Sequence, residues 1–215
     1  YEMLRSGRQN SKEIPNEVVK FDPDPEKVDF AQVVDRIVAI APQAIFMAAY
    51  TDELIPLIRE IRSRDELAGL FIFTCSVFVP SDVIEELGKE MVEGIMFTSY
   101  AWDPNSSDPD IRAFVDQFQA EYHVAPGYLA ATGYDAVQIL TQAISLANHM
   151  MPEDVQDQMN KITYDSSLLG ITDFNKSGNV TRIPLLHQIR DGVTVELTND
   201  DIEQIKRRVL IGDEI

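Results

Sequence analysis

The feature that most constrains the fold is the alternation of short apolar runs with amphipathic segments in the first half of the chain. Apolar runs occur at residues 44–49 (AIFMAA), 70–74 (LFIFT) and 94–97 (GIMF), and residues 18–21 (VVKF) form a further candidate. A run of this length between turn signals is typical of a strand buried on both faces. Strands that alternate with helices predict an α/β fold, in which a parallel sheet is flanked by helices.

The segments between the apolar runs have helical spacing. Asp29 can cap a helix in which apolar residues recur at i, i+3, i+4, i+7 and i+8, from Phe30 to Val38. Thr51 or Asp52 can cap a second helix that follows the second run. The first half of the chain therefore predicts the order β-α-β-α-β-α-β.

The character of the sequence changes after residue 101. Residues 102–110 (WDPNSSDPD) are rich in Pro, Asn, Ser and Asp, and they predict a loop at a domain boundary. Three helices are predicted next, over residues 111–122, 129–147 and 152–162. Because no strand lies between these helices, their apolar faces need a sheet from elsewhere to cover them.

Strand character returns in the last quarter of the chain. Residues 170–174 and 182–189 predict strands on either side of a turn at residues 175–179 (NKSGN). Asp191-Gly192 is typical of a hairpin turn before another strand at residues 193–197. These strands predict an antiparallel hairpin added to the sheet, and residues 200–211 predict a closing helix.

Charge and motifs exclude several function classes. Acidic residues outnumber basic ones by 36 to 18, so the net charge of −18 disfavours nucleic acid and an anionic membrane surface as partners. No stretch approaches the ~20 continuous apolar residues that span a bilayer, so we expect membrane contact to be peripheral at most. The sequence has no Gly-rich phosphate loop, and Cys75 is its one cysteine, so we expect no cofactor and no metal. The acidic pairs Asp52-Glu53 and Glu85-Glu86 lie on predicted helices, where a solvated face is expected.

Three segments in the second half resemble a known family. Residues 122–137 (YHVAPGYLAATGYDAV) match the pattern Y-x-x-x-P-x-x-x-A-x-x-G-Y-D-A, and residues 169–182 (LGITDFNKSGNVTR) are similar to a G-x-x-x-F-D-x-x-G-D hairpin. Residues 188–193 (QIRDGV) resemble the strand that follows this hairpin. In this order the segments resemble type I periplasmic solute-binding proteins of the leucine/isoleucine/valine-binding family, the receptors of branched-chain amino-acid ABC transporters.

The resemblance implies the type I periplasmic-binding-protein fold, of which the chain would be the C-terminal portion. Residues 1–101 and 163–215 would form the C-terminal lobe, without its first strand. Residues 102–162 would be helices of the N-terminal lobe, whose sheet would be missing. In this family a small-molecule ligand is held between two lobes that close by hinge motion.

Candidate ligand-binding residues follow from two arguments. Open α/β sheets bind ligands at the carboxyl ends of their strands, and the family's cleft adds positions by resemblance. The carboxyl ends give Tyr50, Thr51, Cys75, Ser76 and Phe78, and the resemblance adds Tyr1 and Tyr134. Four of them have a structural alternative: Tyr50 as a loop tyrosine, Ser76 as a cap or turn residue, Phe78 as core, and Tyr134 as part of its helix's buried stripe.

The resemblance implies an extracytoplasmic protein, periplasmic or extracellular and with or without a lipid anchor, that delivers a solute to an ABC transporter permease. The same fold as the sensing domain of a signalling receptor is the first alternative, and an enzyme that uses Cys75 or the carboxylates is the second. Family members that bind amino acids place an acid beside the strand that corresponds to residues 70–74 here. Here residues 74–78 (TCSVF) lack one, so an amide or an organic acid is as plausible a ligand as an amino acid.

Overall fold

The structure is a computed structural model that describes residues 17–22, 24–75, 78, 80–100, 102–166 and 168–211 of the 215-residue chain. The described helices are α1 Phe30–Ile40, α2 Thr51–Arg62, α3 Pro80–Leu87, α4 Lys89–Val92, α5 Pro109–Tyr122, α6 Tyr128–Leu146, α7 Pro152–Met159 and α8 Asn199–Ile211. The described strands are β1 Ala44–Met47, β2 Phe71–Thr74, β3 Met96–Ser99, β4 Tyr164–Ser166, β5 Gly170–Thr172, β6 Leu185–Arg190 and β7 Val193–Glu196.

The main sheet has five strands in the order β1-β2-β3-β6-β7. Strands β1, β2 and β3 are parallel, whereas β6 pairs antiparallel with β3 and β7 pairs antiparallel with β6. This arrangement confirms the predicted parallel sheet flanked by helices and its antiparallel C-terminal hairpin. Strands β4 and β5 form a separate two-stranded sheet, and β4 had no counterpart in the sequence prediction.

Two strand predictions need correction. Residues 18–21 form no strand, because Val19 and Phe21 pack as partly buried side chains against the core and Arg36 donates to the carbonyl of Lys20 at 3.4 Å. The run at residues 44–49 gives a strand of four residues that is not buried on both faces. Phe46 is 61% exposed, since β1 is the edge strand of the described sheet.

Helix α1 forms as its spacing predicts. The Asp29 carboxylate accepts a hydrogen bond from the N–H of Gln32 at 3.0 Å, which satisfies one of the free donors of the first turn. The helix ends at Ala41, whose φ of 50° is in the left-handed region. Its apolar stripe places Val33, Val34 and Ile37 in the core, so the predicted cap and buried face are both confirmed.

The hydrophobic residues form two separate clusters. The larger one joins α1, α2 and strands β1 to β3, and α2 contributes Leu54, Leu57, Ile58 and Ile61. The smaller one contains Ile111 and Val115 of α5, Ala131 of α6, and Leu168 and Leu169. We call residues 17–100 and 185–211 the sheet unit, and residues 102–172 the helical unit. The assignment of these residues to the two lobes of a binding protein stays a prediction.

The hairpin between β6 and β7 turns at Asp191 and Gly192, as predicted. Both residues have positive φ, 53° and 77°, which is the combination that a two-residue type I′ turn requires. The N–H of Asp191 donates to the carboxylate of Glu93 at 2.8 Å and ties the turn to the segment before β3. A Cβ on Gly192 would lie 2.9 Å from the Cβ of Lys89, so the turn has no space for a side chain.

Replacing Gly192 with alanine is expected to lower the free energy of unfolding by about 1–2 kcal/mol, because an L-residue is strained at this φ. The matched control is Gly133→Ala in the exposed middle of α6, where no atom lies within 4 Å of the added Cβ. That control should stabilise the protein by about 0.5–1 kcal/mol, because alanine is the better helix former. Urea denaturation measures both, and equal effects of the two substitutions would contradict the turn assignment.

Candidate functional site at the carboxyl edge of the parallel strands

The carboxyl ends of the three parallel strands meet at one edge of the sheet. Met47 is the register partner of Thr74, and Thr74 is the register partner of Phe97. The residues that follow these strand ends include Tyr50, Cys75 and Tyr100. This edge is where open α/β sheets bind ligands, and we call it the carboxyl edge.

Among the predicted site residues that the structure describes, Tyr50 is the most exposed. Its side chain is 70% exposed immediately before α2, which begins at the partly buried Thr51. Tyr50 therefore occupies the N-cap position that was predicted for Thr51 or Asp52. The carboxylate of Glu53 accepts a hydrogen bond from the N–H of Tyr50 at 2.7 Å and so fixes the backbone from which the phenol projects.

The prediction that both acidic pairs lie on solvated helix faces was wrong for Glu53. Its side chain is buried, whereas Asp52, Glu85 and Glu86 are exposed as expected. The reason is the capping contact, because a carboxylate that reaches back to the N-cap N–H lies along the helix and away from solvent. Its acceptor capacity is partly used by the backbone of Tyr50.

The second strand end is built around Thr74 and Cys75. The buried Thr74 hydroxyl donates to the carbonyl of Met47 at 3.0 Å and holds the ends of β1 and β2 together. Cys75 is a partly exposed free thiol. Phe78 lies in the core, as its structural alternative predicted, and its ring packs against Phe97 at a centroid distance of 5.1 Å. Ser76, like Tyr1, lies outside the described residues.

Tyr100 was not among the predicted site residues. It follows β3 directly, and its ring stacks on that of Tyr128, the first residue of α6, at a centroid distance of 5.7 Å. The guanidinium carbon of Arg182 lies 5.9 Å from the centre of the Tyr100 ring, within the range of a cation–π contact. The carboxyl edge therefore carries residues from both units.

Arg182 lies between β5 and β6, and it contacts a polar cluster of the helical unit. Its Nε donates to the hydroxyl of Thr172 at 2.7 Å, and its Nη2 lies 3.6 Å from the carboxylate of Asp135. Asp135 and Thr172 are each only 1% exposed. Burial raises the pKa of Tyr128, and burial together with the Asp135 carboxylate raises the pKa of Tyr164, so both phenols stay protonated at neutral pH.

Tyr134, predicted by resemblance, lies one residue before Asp135 on α6. Its side chain is 44% exposed, and its ring packs against Phe114 of α5 at a centroid distance of 5.0 Å. The structure therefore places Tyr134 in the helical unit, whereas Tyr50, Thr51 and Cys75 follow the ends of the adjacent strands β1 and β2. Within the described part of the chain, no three His, Cys, Asp or Glu side chains are grouped to hold a metal ion.

The edge and its surroundings indicate a class of protein. A parallel sheet with exposed polar and aromatic side chains at its strand ends, connected twice to a second unit, is typical of proteins that bind a small ligand at the edge of the sheet. None of the helices in the described ranges combines the length and apolar composition that crossing a bilayer requires.

Comparison with known proteins identifies the family. The sequence matches the periplasmic binding protein family over residues 4–192, and the chain belongs to that family. Its fold is the type I periplasmic-binding-protein fold. The family consists of extracytoplasmic, non-enzymatic solute-binding proteins.

Solved structures agree with this membership. One is a putative branched-chain amino-acid ABC transporter protein from Rhodospirillum rubrum, with 29% identity and a TM-score of 0.59 over 78% of this chain and 48% of that one. Another is a leucine-binding protein from Thermotoga maritima, with 27% identity and a TM-score of 0.63 over 80% and 49%. A solute-binding protein from R. palustris in complex with benzoate shares the fold at 18% identity, with a TM-score of 0.61 over 80% and 46%. The chain thus spans about half the length of these structures.

Proposed function

We propose that the protein captures a small polar solute, an amino acid, an amide or an organic acid, between two lobes and delivers it to an ABC importer in the periplasm or at the cell exterior, with or without a lipid anchor. The observation that carries the proposal is the carboxyl edge, where the exposed Tyr50 and the partly buried Thr51 follow β1 and the partly exposed Cys75 follows the adjacent parallel strand β2. Tyr134 is proposed to face the solute from the helical unit. The signalling-receptor role stays an alternative prediction.

The chemistry of the edge limits the ligand. The side-chain polar groups of the strand-end residues Tyr50, Thr51, Cys75 and Tyr100 are hydroxyls and a thiol, and the nearby Glu53 carboxylate is buried and bound to the N–H of Tyr50. None of these four residues supplies a carboxylate that would pair with an ammonium group, and the exposed Asp52 lies one position further along α2. Hydroxyl groups donate to carboxylates and amides alike, and an aromatic ring contacts the apolar part of a solute. Leucine and benzoate, bound by two of the similar proteins, represent the two ligand classes.

The test is calorimetry of the protein against leucine, valine, leucinamide and benzoate. For the solute that binds, Tyr50→Ala is expected to weaken affinity at least tenfold, about 1.4 kcal/mol, because it removes both the ring and the hydroxyl. Phe46→Ala is the matched control, since Phe46 is an aromatic residue of β1 with a similar exposure, 61% against 70%, and it lies before the strand end. Unchanged affinity in Tyr50→Ala, or an equal loss in Phe46→Ala, would refute the site.

Tight binding of leucine or valine would overturn the ligand argument while leaving the carboxyl edge intact. Tyr50→Phe separates the two contributions of the tyrosine. If the hydroxyl donates to the solute, Tyr50→Phe should weaken binding nearly as much as Tyr50→Ala. If the ring supplies the binding contact, Tyr50→Phe should keep the parent affinity. The sequence of the encoding gene's neighbours tests the partner, because permease genes alongside are expected for an importer.

A further inference from the structure

The sheet unit and the helical unit are joined by two connections that begin and end side by side. Ser99 at the end of β3 is the register partner of Leu185 at the start of β6. The chain leaves the sheet directly after Ser99, passes through the helical unit, and returns directly before Leu185. The closely packed helix and strand pairs, such as α6 with α7 and α1 with α2, lie within one unit or the other. Relative motion of the units must therefore be accommodated in these two connections.

Arg182 lies on the returning connection and contacts the departing one. Its guanidinium is positioned over the ring of Tyr100, the first residue after β3. The same guanidinium bonds to Thr172 and pairs with Asp135 in the helical unit. One side chain thus links both connections to a buried part of the helical unit.

The environment of Arg182 favours a fixed position. Its side chain is only 13% exposed, and the Asp135 carboxylate with which it pairs is 2% exposed. The planar guanidinium can stack on an aromatic face and bond in its own plane at the same time, which an ammonium group cannot do. The Tyr100 ring is itself held on its neighbour Tyr128. The contacts therefore form a continuous set from α6 through Arg182 to the end of β3.

We propose that Arg182 is a positioning residue that makes the two connections move as one body and so restricts the range of orientations between the units. Its effect on solute capture rests on the proposed function, because there the orientation of the units decides when the cleft is open. The restriction itself is a property of this chain and needs no solute.

The experiment measures distances between the two units without any solute. Nitroxide labels on unnatural amino acids at the exposed positions Glu85 of α3 and Glu121 of α5 leave Cys75 untouched, and pulsed electron paramagnetic resonance gives their distance distribution. The parent protein is expected to show one narrow distribution. Arg182→Met should broaden it at least twofold, and Arg182→Lys should broaden it less, because the charge is kept while the stacking is lost.

Two further variants keep the result interpretable. Tyr100→Leu removes the stacking partner but leaves the pair between Arg182 and Asp135, so it should broaden the distribution with little change in helix content or melting temperature. Arg112→Met, which breaks an exposed ion pair with Asp116 within α5, is the matched control and should leave the distribution narrow. A narrow distribution in Tyr100→Leu overturns the proposal, even if Arg182→Met fails to fold. Because no solute is present, failure of the proposed function would leave this result unaffected.

Discussion

Replacing Ile58 with alanine is expected to lower the free energy of unfolding of the sheet unit by about 2–5 kcal/mol. Ile58 is completely buried on α2 and belongs to the larger hydrophobic cluster, with Leu54 and Ile61 on the same helix face. Truncation removes three carbons from contact with the core and leaves a cavity that the surrounding side chains fill only in part. Guanidinium denaturation followed by circular dichroism measures the effect.

The matched control for Ile58→Ala is Val137→Ala on α6. Val137 is 62% exposed, so its truncation should change stability by less than about 0.5 kcal/mol. Hydrogen exchange separates the units, because Ile58→Ala should accelerate exchange in β1 to β3 more than in α5 and α6, which pack around a different cluster. Equal acceleration in both units would show that the two clusters unfold as one.

Replacing Asp135 with alanine is expected to lower the free energy of unfolding by about 3 kcal/mol. Removing one partner of a buried ion pair leaves the other charge desolvated, and Arg182 has little access to water. The double variant Asp135→Leu with Arg182→Met should recover part of this loss, since neither charge then remains in the interior. The exposed pair between Arg112 and Asp116 supplies the control, and Asp116→Ala should cost less than about 0.5 kcal/mol.

A double-mutant cycle on Asp135 and Arg182, measured by urea denaturation, gives the coupling energy directly. Contacting charges with shared partners typically couple by about 0.5–3 kcal/mol. Additive effects of the two single variants would mean that the pair contributes nothing to stability. Such additivity would also remove the anchor on which the proposed restraint by Arg182 depends.

The fold was largely predictable because its strands and helices have strong local patterns. The apolar runs that contain Met47 and Thr74 predicted strands β1 and β2, and the Asp191-Gly192 pair predicted the hairpin turn. The prediction for residues 18–21 was wrong, because valine and phenylalanine in a short apolar run can equally pack onto a helix, as Phe21 does on Phe30. Only pairing with a neighbouring strand distinguishes these outcomes, and pairing is not a local property.

The site was predictable to the extent that it follows from strand ends. Tyr50, Thr51 and Cys75 come after apolar runs, and their positions in the sequence are enough to assign them to the carboxyl edge. Tyr100 was missed because strand β3 was predicted two residues too early, at residues 94–97 instead of Met96–Ser99. Arg182 and Asp135 are 47 positions apart in the chain, and no spacing rule predicts that a residue before β6 pairs with a residue of α6.

The adjacency of Ser99 and Leu185 has a consequence for how the chain is assembled. Strand β3 ends at Ser99, and the antiparallel strand β6 begins opposite it at Leu185. In the geometry of the sheet these two strands are therefore the two arms of a hairpin. The whole stretch from α5 to β5 then occupies the place of a hairpin loop, and the sheet on either side remains continuous in register. The described part of the chain is therefore organised as one α/β sheet into which the second unit is inserted between two register partners.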